Sequence, residues 1–350
     1  MRIMIRTDAS TEIGSGHVMR CLSLARAWRK QGHEVKFWCR ALPGDMRAYI
    51  FLQGFVVHEV AYCVDRHNLS EADAAKCLEK QAGSYDLVVV DHYGLDRQWE
   101  SRMRAQGSLV MALDDLASRD HDCDILLDPN VLSGMAVSYD GLVPSSCRQL
   151  LGPTYILLSH DFQDLSQPLR YREQVRRLLL FFGGGDPGNV TGRVLEEVVT
   201  LGIYADVVIG ASNPNGKEVK LLCDRLGNDC CALHVQTNRM AALMQSADLM
   251  LCAGGSTHWE RCRLGLPAVV ASVAQNQVAV SVGLAERGTC AYVGDIGTLA
   301  AGGWHDAVVA IMREESALAS MQAACLRTVP DGKGCDRVVK AVEEVMSRCK

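Results

Sequence analysis

The chain has 350 residues, 48% of them hydrophobic and 22% charged, and a formal net charge of −5. That length exceeds one ordinary core and predicts two domains, while the apolar content argues against disorder. A slightly acidic chain without a Lys/Arg block excludes the basic footprint of a nucleic-acid binder, and no apolar run approaches the about 20 residues that span a bilayer.

In chain order, short apolar runs predict strands at 2–6, 35–39, 55–60, 87–91, 109–113 and 125–127. Between the first two, Val18, Cys21, Leu22, Ala25 and Trp28 recur at helical spacing, and Gly32 stops that helix. Strands that alternate with helices imply parallel pairing, and near-continuous apolar strands imply a sheet covered on both faces. At 159–172 the pattern lapses into a polar connection containing Ser159, Asp161, Gln163, Asp164, Ser166 and Pro168. A second alternating series follows, with strands expected at 178–182, 205–209, 232–235, 249–252, 268–271 and 290–293, and at least two helices after Leu299. The expected fold class is α/β: two Rossmann-like doubly wound domains facing a cleft, spanning 1–158 and 173–332, with a tail at 333–350. Ligands of such sheets bind outside the carboxyl ends of the strands.

The cysteines number fifteen, and no Cys-x-x-Cys pair occurs. They read as reduced thiols acting as small core hydrophobes in a cytoplasmic protein, and Cys230–Cys231 as a strand with one inward position. The start, MRIMIRTDAS, lacks the apolar stretch of a signal peptide.

The first predicted strand runs into Asp8, and Gly14-Ser15-Gly16-His17 opens the helix. Two glycines one residue apart allow a tight turn and bring the backbone close to a ligand. Met19 stands where a dinucleotide fingerprint needs its third glycine, so that reading fails. His17, at the positive end of the helix dipole, is suited to accept a proton from water; capping the helix or binding phosphate are the plainer alternatives. Asp8 either orients the imidazole, bonds a sugar hydroxyl, or pairs with Arg6 or Arg20.

In the second half, Gly183-Gly184-Gly185 and Gly254-Gly255-Ser256-Thr257 each end a strand and open a helix. Two such turns offer backbone N–H groups to a pyrophosphate, and Glu260 stands one turn on, where its carboxylate could accept bonds from ribose hydroxyls. Asp122-Cys123-Asp124 matches a metal-holding pattern of other sugar-nucleotide enzymes, but it lies in the opposite half and reads as a solvated strand edge. No metal site is expected.

Taken together, Arg6-x-Asp8-Ala9-Ser10, Ile13-Gly14-x-Gly16-His17-x-Met19-Arg20-Cys21-Leu22, Val90-Asp91-His92-Tyr93, Leu113-Asp114-Asp115 and Ala253-Gly254-Gly255-Ser256-Thr257-x-Trp259-Glu260 resemble the UDP-2,4-diacetamido-2,4,6-trideoxy-β-L-altropyranose hydrolases of pseudaminic acid biosynthesis. The second half also resembles, more distantly, the glycosyltransferase that adds N-acetylglucosamine to a lipid-linked peptidoglycan precursor. The resemblance implies a GT-B fold with UDP on the second domain and the sugar in the interdomain cleft. It implies hydrolysis without metal or other cofactor, with His17 as the catalytic histidine. By position, Tyr93 and Asn276 would contact the sugar, and uracil would rest near Thr237 to Met240. Without it, Tyr93 reads as a packed aromatic and Asn276 as a helix N-cap. The tail is expected to pack back on the first domain as a helix.

The function expected is cleavage of a UDP-sugar by water at the anomeric carbon, with inversion. A GT-B glycosyltransferase using a UDP-sugar donor and a non-catalytic nucleotide-sugar module are the rivals. The partners expected are the UDP-sugar and water, with no nucleic acid and no stable membrane insertion; oligomeric state stays open.

Overall fold

The computed structural model describes residues 1–61, 69–79, 85–131, 138–163, 165 and 168–348. The chain divides into two units, one of residues 1–160 with 333–350 and one of residues 161–332. Asp164 and Ser166 of the expected connection lie outside the described residues.

In the first unit the apolar runs fold in series as β1 (Arg2–Thr7), α1 (Gly16–Lys30), β2 (Glu34–Arg40), α2 (Arg47–Leu52), β3 (Val56–Val60), α3 (Leu69–Glu79), β4 (Leu87–Asp91), α4 (Arg97–Arg104), β5 (Leu109–Leu113), β6 (Ile125–Asp128) and β7 (Arg148–Leu151). All pair in parallel, in the order β3-β2-β1-β4-β5-β6-β7. The helical spacing read at Val18, Cys21, Leu22, Ala25 and Trp28 is the buried face of α1, packed on Ile3 and Ile5 of β1. Full burial of such a large apolar side chain contributes about 1.5–3 kcal/mol. Past the helix, Gly32 takes φ +82°, a left-handed turn that glycine makes at no steric cost. Strand β7 was not foreseen: it buries only Leu150, and pairing with β6 at the sheet edge, rather than apolar content, makes it a strand.

The second unit runs through α5 (His160–Gln163), β8 (Arg177–Phe181), α6 (Val190–Val198), β9 (Tyr204–Ile209), α7 (Gly216–Leu226), β10 (Cys231–Val235), α8 (Met240–Ser246), β11 (Leu249–Ala253), α9 (Thr257–Arg263), β12 (Ala268–Ser272), α10 (Val278–Glu286), β13 (Cys290–Asp295), α11 (Gly303–Arg313) and α12 (Ala317–Thr328). Its parallel sheet has the order β10-β9-β8-β11-β12-β13. Arg172, read as the end of a polar connection, is instead a fully buried anchor of this unit. Its guanidinium donates to the backbone carbonyls of Met244, Ala247, Leu264 and Gly265. The last helix, α13 (Gly334–Arg348), returns to the first unit, where Val338, Val339 and Val342 join the core that holds α1.

Both sheets begin in the middle and wind outward in both directions. The order reverses between β1 and β4 in one and between β8 and β11 in the other. At such switch points the loops leaving two neighbouring strands diverge, which opens a crevice at the carboxyl edge. The thirteen described cysteines are free thiols, eleven of them buried. Cys231 points inward and Cys230 is half-buried, as the strand reading required. Among the described residues no helix is long and apolar enough to cross a membrane.

Candidate active site

At the switch point of the first unit, parallel register sets Thr7 of β1 opposite Asp91 of β4. After β1 the chain makes a small turn in which Gly14 N donates to Ser10 O at 2.8 Å, and Gly14 adopts φ +80°. Ser10 Oγ accepts from the Glu12 and Ile13 amides, which fixes the turn before α1 starts. The N-cap, Ser15, makes no side-chain cap bond, and the first turn holds no acidic residue. A Cβ on Gly16 would meet nothing within 4 Å. Gly14 thus makes the turn, and Gly16 leaves space beside the helix mouth.

His17 occupies that mouth, 8% exposed. Its Nδ1 lies 2.6 Å from Asp91 Oδ1. Burial pushes the Asp91 carboxyl up, but the Arg20 guanidinium and the His17 ring outweigh burial and hold it well below the usual carboxylate range. An ionised carboxylate only accepts, so Nδ1 carries a proton, and in the neutral ring the lone pair belongs to Nε2. No protein hydrogen bond reaches Nε2 among the described residues. Tyr93 stands over the ring edge-on, centroids 4.7 Å apart at 84°, and is 39% exposed. The structure thus brings His17 and Tyr93 together, with Gly14 and Gly16 beside them.

Asp8 needs correction. Its side chain is fully buried and offers no oxygen to the imidazole or to a ligand. Arg6 clamps it at 2.6 and 2.9 Å, the Arg40 amide donates to it at 2.8 Å, and His92 Nε2 lies 3.3 Å away. Asp73 of α3 closes this network by accepting from Arg6 and Arg40. His92 Nδ1 accepts from Gly94 N at 2.9 Å, so the ring bridges Asp8 to the turn that displays Tyr93. The pairing of Asp8 with Arg6 prevails because an unpaired carboxylate cannot be buried cheaply. Asp91 performs the orienting that was offered to Asp8. It stood in the quoted motifs, but only the β1–β4 pairing reveals its partner.

In the second unit Gly184 and Gly185 follow β8, and Gly255, Ser256 and Thr257 follow β11. These strands are neighbours, with Phe181 opposite Cys252, so both turns leave the switch point side by side. Gly183 and Gly255 take φ +94° and +133°, and a Cβ on Gly185 would meet nothing. Gly210, after β9, donates to Gly184 O at 3.0 Å and pins the first turn. One expectation fails here: the α6 amides are not free for a pyrophosphate. Asp186 accepts from Val190 and Thr191, both at 2.8 Å, and Asn189 from Gly192. Among the described residues the donors left include the amides of Gly184, Gly185, Ser256 and Thr257, since those of His258 and Trp259 donate to Gly255 O and Ser256 O.

Glu260 lies in the first turn of α9, and among the described residues its side chain makes no hydrogen bond. Burial, with Asp161 nearby, pushes its carboxyl up to about 7. Asn276 sits in a 3-10 turn, Gln275–Gln277, after β12, and Gln277 rather than Asn276 precedes α10 as its N-cap. A Cβ on Gly254 would come within 2.8 Å of Gln277 Cβ, so this turn packs directly against the Gly254–Gly255 turn. Met240 opens α8 after β10, two strands from β8 along the same carboxyl edge. Asp122 and Asp124 are half-buried rather than solvated: Arg104 bridges them, Ser101 donates to Asp122 and the Val110 amide to Asp124.

No protein-family model matches the chain. The chain is 28% identical over 290 residues, covering 82% of itself and 97% of the relative, to the UDP-2,4-diacetamido-2,4,6-trideoxy-beta-L-altropyranose hydrolase of Campylobacter jejuni. Among solved structures it is similar to Acinetobacter baumannii MurG, with TM-score 0.66, 14% identity and coverage of 98% and 99% of the two chains. It is likewise similar to the spinosyn rhamnosyltransferase SpnG, with TM-score 0.70, 15% identity and coverage of 98% and 100%. In sequence the chain is thus a relative of the UDP-diacetamido-trideoxy-altropyranose hydrolase, and its two parallel-sheet, Rossmann-like units have the fold of the GT-B glycosyltransferases.

Proposed function

We propose that the chain hydrolyses a UDP-linked diacetamido-trideoxy sugar of the pseudaminic acid type to the free sugar and UDP. The observation that carries this reading is the orientation of His17: Nδ1 is committed to Asp91, which leaves Nε2 without a protein partner among the described residues. The name of the Campylobacter relative supports water as the nucleophile.

In the proposed step, water oxygen bonds to the anomeric carbon as its proton passes to His17 Nε2. The bond from that carbon to the diphosphate oxygen breaks with its electron pair, and UDP departs from the opposite face, so configuration inverts. Asp91 stabilises the imidazolium that forms. The Gly184 and Gly185 amides, with those of Ser256 and Thr257, receive the developing charge of the diphosphate, and Glu260 accepts from the ribose. One fixed donor of this kind contributes about 3 kcal/mol at a transition state. Tyr93 and Asn276 are assigned to the sugar and Met240 to the uracil side. The step requires no metal, and activity is expected to survive chelation.

Turnover of UDP-sugars in heavy-oxygen water tests the reading. Label should enter the free sugar, and label in UDP instead would place the cut at phosphorus and defeat it. Replacing His17 with Ala should abolish turnover while UDP still binds. A transferase reading predicts release of UDP only when an acceptor is added, with the sugar bonded to that acceptor and none set free.

A further inference from the structure

We infer that Arg20 is a positioning residue that shares Asp91 with His17, so that the ring is held in place without being drawn into its cationic form. The consequence for turnover rests on the hydrolytic reading above, whereas the consequence for the resting ring does not.

The sharing is explicit in the geometry. Asp91 Oδ1 accepts from His17 Nδ1 and from Arg20 Nη2, both at 2.6 Å, and Oδ2 accepts from Arg20 Nε at 2.6 Å. Arg20 Nη2 also stands 3.1 Å from His17 Nδ1. Because Nδ1 already donates to the carboxylate, that approach sets a positive charge beside the ring rather than adding a bond. A carboxylate alone at such a distance favours imidazolium, and a guanidinium at a similar distance disfavours it. The two charges act on the ring in opposite directions, beside the directional hydrogen bond. Residues 17 and 20 lie three apart on α1, the spacing that places two side chains on one helix face.

Asp115, after β5, keeps the guanidinium in place by accepting from Arg20 Nη1 at 3.2 Å. Few other charges face the ring among the described residues. Tyr93 presents an edge-on aromatic, and Cys21 directs its thiol to Asp91 Oδ2 at 3.5 Å. Burial and Asp91 push the Cys21 thiol up, so it contributes no charge. On the β1 side Arg6 and Arg40 match Asp8 and Asp73, with His92 against Asp8. Arg20 is therefore the cation that determines whether Asp91 acts on His17 as a full charge or as an acceptor only.

The test is a histidine NMR titration of the unliganded full chain, with the His17 signal assigned by its loss in His17→Gln. Arg20→Gln should move the titration midpoint of that ring up by about one pH unit or more, Asp91→Asn should move it down, and Arg20→Lys should restore it towards wild type. In turnover, the acid limb of the pH profile should follow the same directions. Arg20→Gln should thus lose roughly tenfold on that limb and recover at alkaline pH. An unmoved midpoint in Arg20→Gln, with activity lowered at every pH, would reduce Arg20 to a strut. Should that variant fail to fold, Asp115→Asn serves: without its acceptor the guanidinium is no longer held beside the ring, so the midpoint should rise although a carboxylate has been removed, and an unchanged or lowered one overturns the inference. If the midpoints move as expected but no UDP-sugar is turned over by the wild type, the hydrolytic reading falls and this inference stands.

Discussion

His17 and Asp91 stand 74 positions apart in sequence, yet Nδ1 and Oδ1 meet at 2.6 Å. They meet because β1 and β4 are neighbours, so the loop bearing the histidine leaves the sheet beside the strand that ends in the aspartate. An ionised acceptor at Nδ1 selects the tautomer whose Nε2 can take a proton.

Asp91→Asn puts an amide where the carboxylate was, and its NH2 can donate to Nδ1 and reverse the tautomer. The expected result is a fall in kcat of about 10²–10⁴-fold with KM for the UDP-sugar little changed. Steady-state kinetics measures both, and an undiminished kcat would remove Asp91 from the orienting role.

Glu260 offers a pH test on the other unit. Its carboxyl is pushed up to about 7, by burial first and then by Asp161. If the ionised form accepts from ribose hydroxyls, UDP binds more tightly as pH rises through that value. The phosphate of UDP titrates as well, so the quantity to follow is the affinity ratio of wild type to Glu260→Gln. Calorimetry from pH 6 to pH 8 should find the ratio rising, and a flat ratio would detach Glu260 from the nucleotide.

Gly210 supports the 183–185 turn without being assigned to ligand. A Cβ there would lie 2.5 Å from Gly184 O and 2.8 Å from Gly184 Cα, so the backbone must shift. Gly210→Ala is expected to weaken UDP binding by about tenfold, about 1.4 kcal/mol, while the far-ultraviolet circular dichroism stays that of the wild type. Unchanged affinity would argue that this turn does not touch the diphosphate.

Asp128 predicts a pH dependence of stability. Tyr139 Oη stands 2.9 Å from Asp128 Oδ2 and 3.0 Å from Asp114 Oδ2, and one hydroxyl proton cannot serve both. Burial, with Asp115 and Asp114 adding repulsion, pushes the Asp128 carboxyl up to about 7, above its ordinary 3.8. The folded state then holds a proton that the unfolded chain has released, and the stability this contributes is lost as pH rises from about 4 through 7. Asp128→Asn lacks that loss, so its Tm relative to wild type should increase between pH 5 and pH 8. A constant difference in thermal melts would contradict the raised value.

Much of the fold was legible because the central strands of both sheets are buried on two faces, which makes each of them a continuous apolar run whatever its neighbours. Strand β7 escaped because Arg148-Gln149-Leu150-Leu151 holds only two apolar residues in succession, too short a run to read as a strand. In the candidate site, the turns at Gly14 and Gly255 were readable because a positive φ demands glycine, and His17 because it follows such a turn at a helix mouth. The capping of α6 by Asp186 and Asn189 was not read, although Asp and Asn ahead of a helix are its ordinary signal.

The sequence by itself determined the periodicities, hence two parallel α/β units, and the placing of the glycine turns and His17 at carboxyl ends of strands. The tertiary structure alone decided which charge meets which. Asp8 goes to Arg6, Asp91 to His17 and Arg20, and Asp122 with Asp124 to Arg104. The physical reason is that hydrophobic period is a local property of the chain. A buried carboxylate, in contrast, takes whatever cation strand order brings within about 3 Å, and strand order is not written in any one segment.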